Sequence, residues 1–271
     1  MNPDLPSARR AAEEAASAAE SVISEFVQQG NWSVTLKQDT SPVTEVDVAS
    51  ERCIKEILTK ALPQAAFFGE ETGRAAGVGE SNCRWLVDPI DGTKSFIRGM
   101  RYFSTQIALE VENELVIGVS NAQGYGERLV GVKGEGVWLN GNPVQCSPVT
   151  EIKDAFLSSG NLTALASDTR SWQGYGDIVR QARRVRGYGD FCHYHQLCCG
   201  QTDLIIESDV NILDIAALTV GVREAGGIIT DLEGKAIDEH TTSVLAACTE
   251  ALHAEALSML ADFAHRRQGG C

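Results

Sequence analysis

The segment Asp88–Thr93, which reads DPIDGT, constrains this chain more than any other. The apolar run Trp85–Val87 before it predicts a buried strand that ends in two aspartates. Pro89 stiffens the turn between them, so that both carboxylates and the carbonyl of Ile90 face one point. The spacing therefore predicts a cleft at the end of this strand, lined by oxygen atoms.

The second half of the same segment favours an anion. Gly92 and Thr93 open a short helix, and the backbone N–H groups at a helix start can hold a phosphate oxygen. The hydroxyl of Thr93 is placed to bond a water molecule. Ligands for a cation and for a phosphate thus meet within a few residues.

Three further acidic sites lie where a strand ends or a helix begins: Asp47, the pair Glu70-Glu71 and Asp214. Such positions point side chains into clefts, where sites are built. Oxygen ligands without a neighbouring His or Cys suit a hard cation such as Mg²⁺. Each site also fits an ordinary structural role, because aspartates are common in turns and helix starts and paired glutamates are common on surfaces. Spacing alone therefore indicates only a candidate divalent-metal site.

Two regions of different pattern predict an α+β fold. Residues 1–145 show a helical repeat that ends at Gly30, a second helix that opens at Thr44, and short apolar runs typical of an antiparallel sheet, with a hairpin over residues 103–122. Residues 146–271 alternate between strands and helices. The helices predicted there are 172–183, 191–199, 212–225 and 250–266, and the strands are 155–158, 204–207, 228–231 and 244–247.

Charge and cysteine usage exclude some classes of protein. The 271 residues carry a net charge of −14, which disfavours nucleic acid and fits phosphate substrates only if many carboxylates bind cations. Eight scattered cysteines without a CxxC pair argue against zinc and for reduced thiols. Because no apolar run approaches ~20 residues and the N-terminus lacks an apolar signal segment, we expect a cytoplasmic protein that does not enter the membrane.

Four motifs, in order, resemble the inositol monophosphatase-like phosphatases along nearly the whole chain. They are Ser41–Asp47 (SPVTEVD), Gly69–Glu71 (GEE), Asp88–Thr93 (DPIDGT), and Leu213–Ala217 (LDIAA) with Glu224–Gly227 (EAGG). The third is highly specific in this context. The chain departs at Leu213, where the family usually has Trp, and this alters packing behind the ligand rather than the ligand. The resemblance implies the family's layered α-β-α-β-α fold.

The resemblance also implies Mg²⁺, with two or three ions in each active site. The ligands it assigns are four carboxylates and one carbonyl: Glu70, Asp88, Ile90, Asp91 and Asp214. Its catalytic residues are Glu70 and Thr93, the latter held by Asp47, which position and deprotonate the attacking water. The N–H groups of Gly92 and Thr93 are expected to hold the phosphate.

The region after residue 145 is expected to supply Asp214 and the substrate contacts, while the first region carries most metal ligands, in one compact functional unit. Its segment Arg186–Phe191 (RGYGDF), like Lys94–Gly99 (KSFIRG), resembles the histidinol-phosphatase branch. Histidinol phosphate carries an ammonium and an imidazole, so a pocket for it favours carboxylates. Asp190 and Glu207 are the candidates for this contact.

Asp190 and Glu207 also fit ordinary structural roles. Asp190 is placed to cap the helix that follows it, and Glu207 to be a surface charge at a strand end. His193 and His195, two residues apart on a helix, point in different directions. We therefore expect the two histidines to be structural or on the surface, and a weaker pocket contact from Tyr194.

Three functions remain open at this point. The leading hypothesis is hydrolysis of histidinol phosphate, and the alternative is an inositol 1-phosphate or broad sugar phosphatase of the same fold. A third is a non-catalytic protein that binds transcription or ribosomal components, against which the complete ligand set weighs. In each catalytic case the partner is a small phosphate monoester, and the resemblance implies a homodimer.

Overall fold

A computed structural model describes residues 3–30, 32–36, 42–79 and 81–261. The chain divides into two compact units after Asn142, and the segment Leu213–Val220 belongs to the first unit. Asp214, which the sequence places after the boundary, is therefore part of the first unit. Ser41 and the predicted loop before Pro42, together with the end of the last helix and the tail, lie outside the described residues.

The described residues form three α-helices in the first unit before the chain enters the second. They are α1 (Leu5–Gln29), α2 (Glu45–Ala61) and α3 (Thr93–Ile97). α1 ends at Gly30, whose φ of 65° is the left-handed conformation that glycine adopts at little cost. α2 starts after Thr44, which forms a capping box with Asp47. The predictions of α1 and α2 are confirmed because their ends depend on local capping chemistry.

Between and after these helices, the described residues up to Pro143 form ten strands. They are β1 (Val34–Leu36), β2 (Pro42–Thr44), β3 (Ala66–Gly69), β4 (Gly73–Ala75), β5 (Cys83–Asp91), β6 (Ser104–Val111), β7 (Glu114–Ala122), β8 (Glu127–Val132), β9 (Gly136–Leu139) and β10 (Asn142–Pro143). β1 and β2 form a separate pair, and the others form one sheet in the order β10-β9-β8-β7-β6-β5-β3-β4. The predicted hairpin is β6 and β7. The prediction of an antiparallel sheet is wrong for β3 and β5, which are parallel.

A row of alanines on α1 packs into the core of this unit. Ala12, Ala15 and Ala16 are fully buried in one cluster with Trp85 of β5 and Ile107 of β6. Small side chains let a helix lie close to a sheet, and burial of the large ones supplies about 25 cal/mol per Å² of apolar surface. β5, which carries the DPIDGT motif, is therefore held firmly in the middle of the sheet.

The later part of the chain alternates between strands and helices, as predicted. The helices are α4 (Thr163–Ser167), α5 (Thr169–Gln181), α6 (Asp190–Cys198), α7 (Ile212–Glu224) and α8 (Glu250–Ala261). The strands are β11 (Phe156–Gly160), β12 (Arg184–Arg186), β13 (Leu204–Ser208), β14 (Ile228–Thr230) and β15 (Ser243–Ala247). They form a five-stranded sheet in the order β12-β11-β13-β15-β14. Among the helices described, none is long and apolar enough to cross a membrane.

Candidate active site

A bulge at the end of β5 turns two aspartates toward each other. Asp88 pairs with Gln106 of β6 and Asp91 pairs with Ser104, so three steps along β5 match two along β6. In a regular strand, residues three apart point to opposite faces, and the extra residue cancels that alternation. Pro89 has no N–H for the ladder, which favours the bulge here. The local sequence thus brings both carboxylates to one side.

Asp214 completes the cluster from the first turn of α7. A Cβ placed on Gly118 of β7 would clash with the carbonyl oxygen of Ala217, so only glycine lets α7 pack this close to the sheet. Carboxylate oxygens of Asp88, Asp91 and Asp214 all lie within 4.8 Å of one another. Asp214, which is far from Asp88 and Asp91 in sequence, therefore meets these two predicted ligands in the first unit.

Glu70 reaches the same cluster because β3 runs parallel to β5. Its N–H donates to the carbonyl of Val87, 3.1 Å away, directly after the last residue of β3. Its side chain hydrogen-bonds Asp88. The parallel pairing sends both strands to one edge of the sheet, where their acidic ends lie side by side.

Asp88 lies in an unfavourable electrostatic environment for a carboxylate. Burial raises its pKa well above the ordinary value, and the neighbouring charges of Glu70, Asp91 and Asp214 raise it further. Four acidic groups at this distance repel one another when ionised, and a divalent cation would remove the repulsion. Oxygen-only ligands suit Mg²⁺, so the residues present fit the ion that the sequence predicts.

Thr93 links this cluster to α2. Its hydroxyl lies 3.1 Å from Oδ1 of Asp47 and 2.9 Å from the carbonyl oxygen of Ile90. The hydroxyl has one proton, so it donates to only one of these acceptors at a time. When the hydroxyl of Thr93 donates to Asp47, the carbonyl oxygen of Ile90 can bind a cation instead. Burial raises the pKa of Asp47, which Thr44 holds from the other side.

Gly92, the predicted phosphate-binding glycine, has a φ of 93° and caps α3. A Cβ there would lie 2.8 Å from the carbonyl oxygen of Tyr102, so a larger residue would not fit. This conformation starts α3 directly beside the aspartates. Phosphate binding by the N–H groups of Gly92 and Thr93 stays a prediction.

Glu207 lies in the interior of the second unit, on β13. Its side chain is 1% exposed, which excludes the alternative of a surface charge. Oε2 lies 3.0 Å from Nε2 of His193 and accepts from the Tyr194 hydroxyl at 2.8 Å, while Oε1 accepts from the N–H of Asp190 at 3.3 Å. Its contact with substrate stays a prediction, and the geometry gives it a structural role as well.

Asp190 is the first residue of α6 and not its cap. Gly189 occupies the capping position, and Asp190 has a φ of 46°, a left-handed conformation that aspartate tolerates better than most residues. The alternative of a cap at Asp190 is therefore excluded, and its contact with substrate stays a prediction. His193 and His195 are both buried, which confirms the structural part of their prediction, and Nδ1 of His193 also faces the Ser158 hydroxyl at 3.2 Å.

Sequence reasoning missed Glu51, a fully buried residue of α2. Its carboxylate accepts the backbone N–H groups of Glu71 and Thr72, each at 2.7 Å. A signal was present, because Glu51 follows Asp47 by one helical turn and so shares its face of α2.

Comparison with known proteins identifies the chain. The inositol monophosphatase family model matches residues 4–264. A histidinol-phosphatase of Streptomyces coelicolor is 34% identical over 242 residues, covering 86% of this chain and 90% of that protein. The Nus factor SuhB of Pasteurella multocida is 30% identical over 241 residues, covering 86% and 87%.

The solved structures agree with this relationship. The extragenic suppressor protein suhB of Bartonella henselae superposes with a TM-score of 0.83 at 27% identity, covering 93% of this chain and 97% of that one. The α+β class and layered fold predicted from the sequence are thereby confirmed. Fold and site together define a phosphoric monoester hydrolase. The chain belongs to the inositol monophosphatase family.

Proposed function

We propose that this protein is a Mg²⁺-dependent phosphomonoesterase that hydrolyses histidinol phosphate to histidinol and phosphate. The observation that carries the chemistry is the meeting of Asp88, Asp91 and Asp214 within 4.8 Å beside Glu70. Bound Mg²⁺ would supply Lewis-acid stabilisation of the phosphoryl oxygens and a more acidic water. The ligands proposed for it are those side chains and the Ile90 carbonyl.

The remaining residues of the first unit orient the reactants. Glu70 and Thr93 are proposed to hold the attacking water, with Glu70 accepting its proton. Asp47 fixes the hydroxyl of Thr93 from 3.1 Å. The N–H groups of Gly92 and Thr93 are proposed to hold the phosphate in line for attack. No side chain is needed as a covalent nucleophile.

The choice of histidinol phosphate is supported by relatives and by charge. Three proteins named histidinol-phosphatase, from Streptomyces coelicolor, Chlorobaculum parvum and Mycobacterium tuberculosis, are each 34% identical to this chain. Asp190 offers a carboxylate for the ammonium group of that substrate. Glu207, the second proposed contact, holds the backbone of Asp190 in its left-handed turn. By family resemblance we also propose a homodimer and a cytoplasmic location.

Phosphate release tests the proposal. Wild-type protein with saturating Mg²⁺ is assayed on histidinol phosphate and on inositol 1-phosphate, the substrate of the alternative function. We expect a preference for histidinol phosphate. A preference for inositol 1-phosphate of more than about tenfold, or 1.4 kcal/mol, would reject histidinol phosphate as the substrate.

A matched pair of variants tests the contact. We expect Asp190→Asn to raise KM for histidinol phosphate about tenfold, because a charge-assisted hydrogen bond becomes a neutral one, and to leave KM for inositol 1-phosphate unchanged. Asp209→Asn is the control, since Asp209 also has a positive φ, of 57°, but is exposed. Equal effects of the two variants on KM for histidinol phosphate would show that Asp190 does not contact the substrate.

A further inference from the structure

Glu51 is a buried acid whose two oxygens are both bound to backbone. Oε2 accepts the N–H of Glu71 and Oε1 the N–H of Thr72, each at 2.7 Å, while the side chain is sealed from solvent. Two short hydrogen bonds to one carboxyl group hold both donors in place, and burial removes competition from water. The turn after β3 is thus tied to α2.

Gly69 tightens the same contact. A Cβ at this position would lie 2.5 Å from both Cδ and Oε1 of Glu51, so the carboxylate rests directly against the backbone of the last residue of β3. Glu70 therefore lies between Gly69, which packs on Glu51, and Glu71, whose N–H is bonded to Glu51. Its own N–H is bonded to the carbonyl of Val87.

We propose that Glu51 is a positioning residue that fixes the backbone on both sides of Glu70 and so holds the Glu70 carboxylate against Asp88. The inference rests on the proposed function, in which Glu70 binds metal and accepts a proton. α2 then supports the site twice along one face, through Asp47 on Thr93 and through Glu51 on Glu70. A site needs such support because small displacements of a ligand weaken binding and catalysis.

Glu51→Gln tests this with little change in volume. The amide offers one acceptor and places an NH₂ group against the second backbone N–H, so one of the two bonds is lost. Glu110→Gln is the matched control, because Glu110 is another buried glutamate of the first unit that accepts from Arg84 at 2.6 Å. Three quantities are measured on each protein: amide hydrogen exchange over the turn after β3, Mg²⁺ affinity by calorimetry, and kcat with KM on the preferred ester.

For Glu51→Gln we expect faster exchange at the amides of Glu71 and Thr72, and a Mg²⁺ affinity about tenfold weaker. We expect kcat to fall about tenfold with KM for the ester little changed, because the group displaced acts on the reacting water. Glu110→Gln should change none of these. If Glu51→Gln does not fold, Glu51→Asp gives the same measurements, since the shorter side chain withdraws from the turn.

Two results would overturn the inference. One is wild-type exchange at Glu71 and Thr72 in the Glu51 variant. The other is faster exchange with Mg²⁺ affinity and kcat equal to those of Glu110→Gln, which would make Glu51 a purely structural residue. Failure of the proposed function looks different. Wild-type protein would then release no phosphate from any ester, while the Mg²⁺ affinities of the two variants could still be compared.

Discussion

Asp88 in the first unit and Glu207 in the second are both buried carboxylates, at 3% and 1% exposure. Their surroundings are opposite. Asp88 faces Glu70, Asp91 and Asp214, which raise its pKa, whereas Glu207 is surrounded by His193, the Tyr194 hydroxyl and the N–H of Asp190. Asp88 accepts the N–H of Ile90 at 2.9 Å, but three acidic groups lie beside it, whereas the groups around Glu207 are hydrogen-bond donors.

The difference separates a candidate metal site from a carboxylate held by protein donors. A buried charge is tolerated when protein donors or an opposite charge compensate it, and otherwise it takes up a proton or a cation. Glu207 finds its compensation inside the fold. Asp88 has three acidic groups beside it, and a divalent cation would relieve their repulsion. Burial alone does not distinguish a candidate metal ligand, whereas burial beside other carboxylates favours the binding of a cation.

Removing the charge of Asp88 should have the largest effect. We expect Asp88→Asn to lower kcat by about a thousandfold or more, because metal-ion stabilisation is worth several kcal/mol and about 1.36 kcal/mol is tenfold in rate. The fold should be intact by circular dichroism. Near wild-type turnover of this variant at saturating Mg²⁺ would show that the Asp88 carboxylate is not needed for metal-dependent catalysis.

Removing the carboxylate of Glu207 should instead destabilise the protein. Glu207→Leu leaves the donors of His193, Tyr194 and Asp190 without their acceptor, and a buried unsatisfied group costs about 1–3 kcal/mol. We expect the free energy of unfolding in urea to fall by about 3 kcal/mol or more, with Mg²⁺ affinity unchanged.

Glu207→Gln is the control for that experiment. Its NH₂ group can donate to the Tyr194 oxygen and to His193 in the other tautomer, while its oxygen accepts from Asp190, so a loss of less than about 1 kcal/mol is expected. A weaker Mg²⁺ affinity in either Glu207 variant would show that Glu207 takes part in metal binding.

A smaller effect is expected in the pH dependence of stability without metal. The folded protein binds the Asp88 proton more tightly than the unfolded chain, for which 3.8 is the ordinary pKa. As pH rises above 3.8, the free energy of unfolding should fall, and this fall is complete once the pH exceeds the raised pKa of Asp88. Each pKa unit by which Asp88 differs between the folded and unfolded states changes the free energy of unfolding by about 1.4 kcal/mol.

Urea unfolding in EDTA, measured upward from about pH 4 until the free energy of unfolding stops falling, covers this window. The decline should be steeper in the wild type than in Asp88→Asn, and Mg²⁺ should restore wild-type stability in proportion to its binding. Parallel curves for the two proteins would mean that Asp88 carries no electrostatic penalty.

The sequence by itself determined the local geometry of the site. Pro89 and Gly92 dictate the turn and the helix start of Asp88–Thr93, and Thr44 with Asp47 dictates the start of α2, because these features depend on neighbours within a few residues. Glu70 was recognisable as an acid at a strand end for the same reason.

Only the tertiary structure decided which distant groups meet. The parallel pairing of β3 with β5 places Glu70 beside Asp88, and the close approach of Ala217 to Gly118 brings Asp214 to the cluster. The contacts of Glu51 and Glu207 are likewise decided by packing. Periodicity fixes which way a side chain points along its own element, whereas partners across elements depend on how strands pair and helices pack.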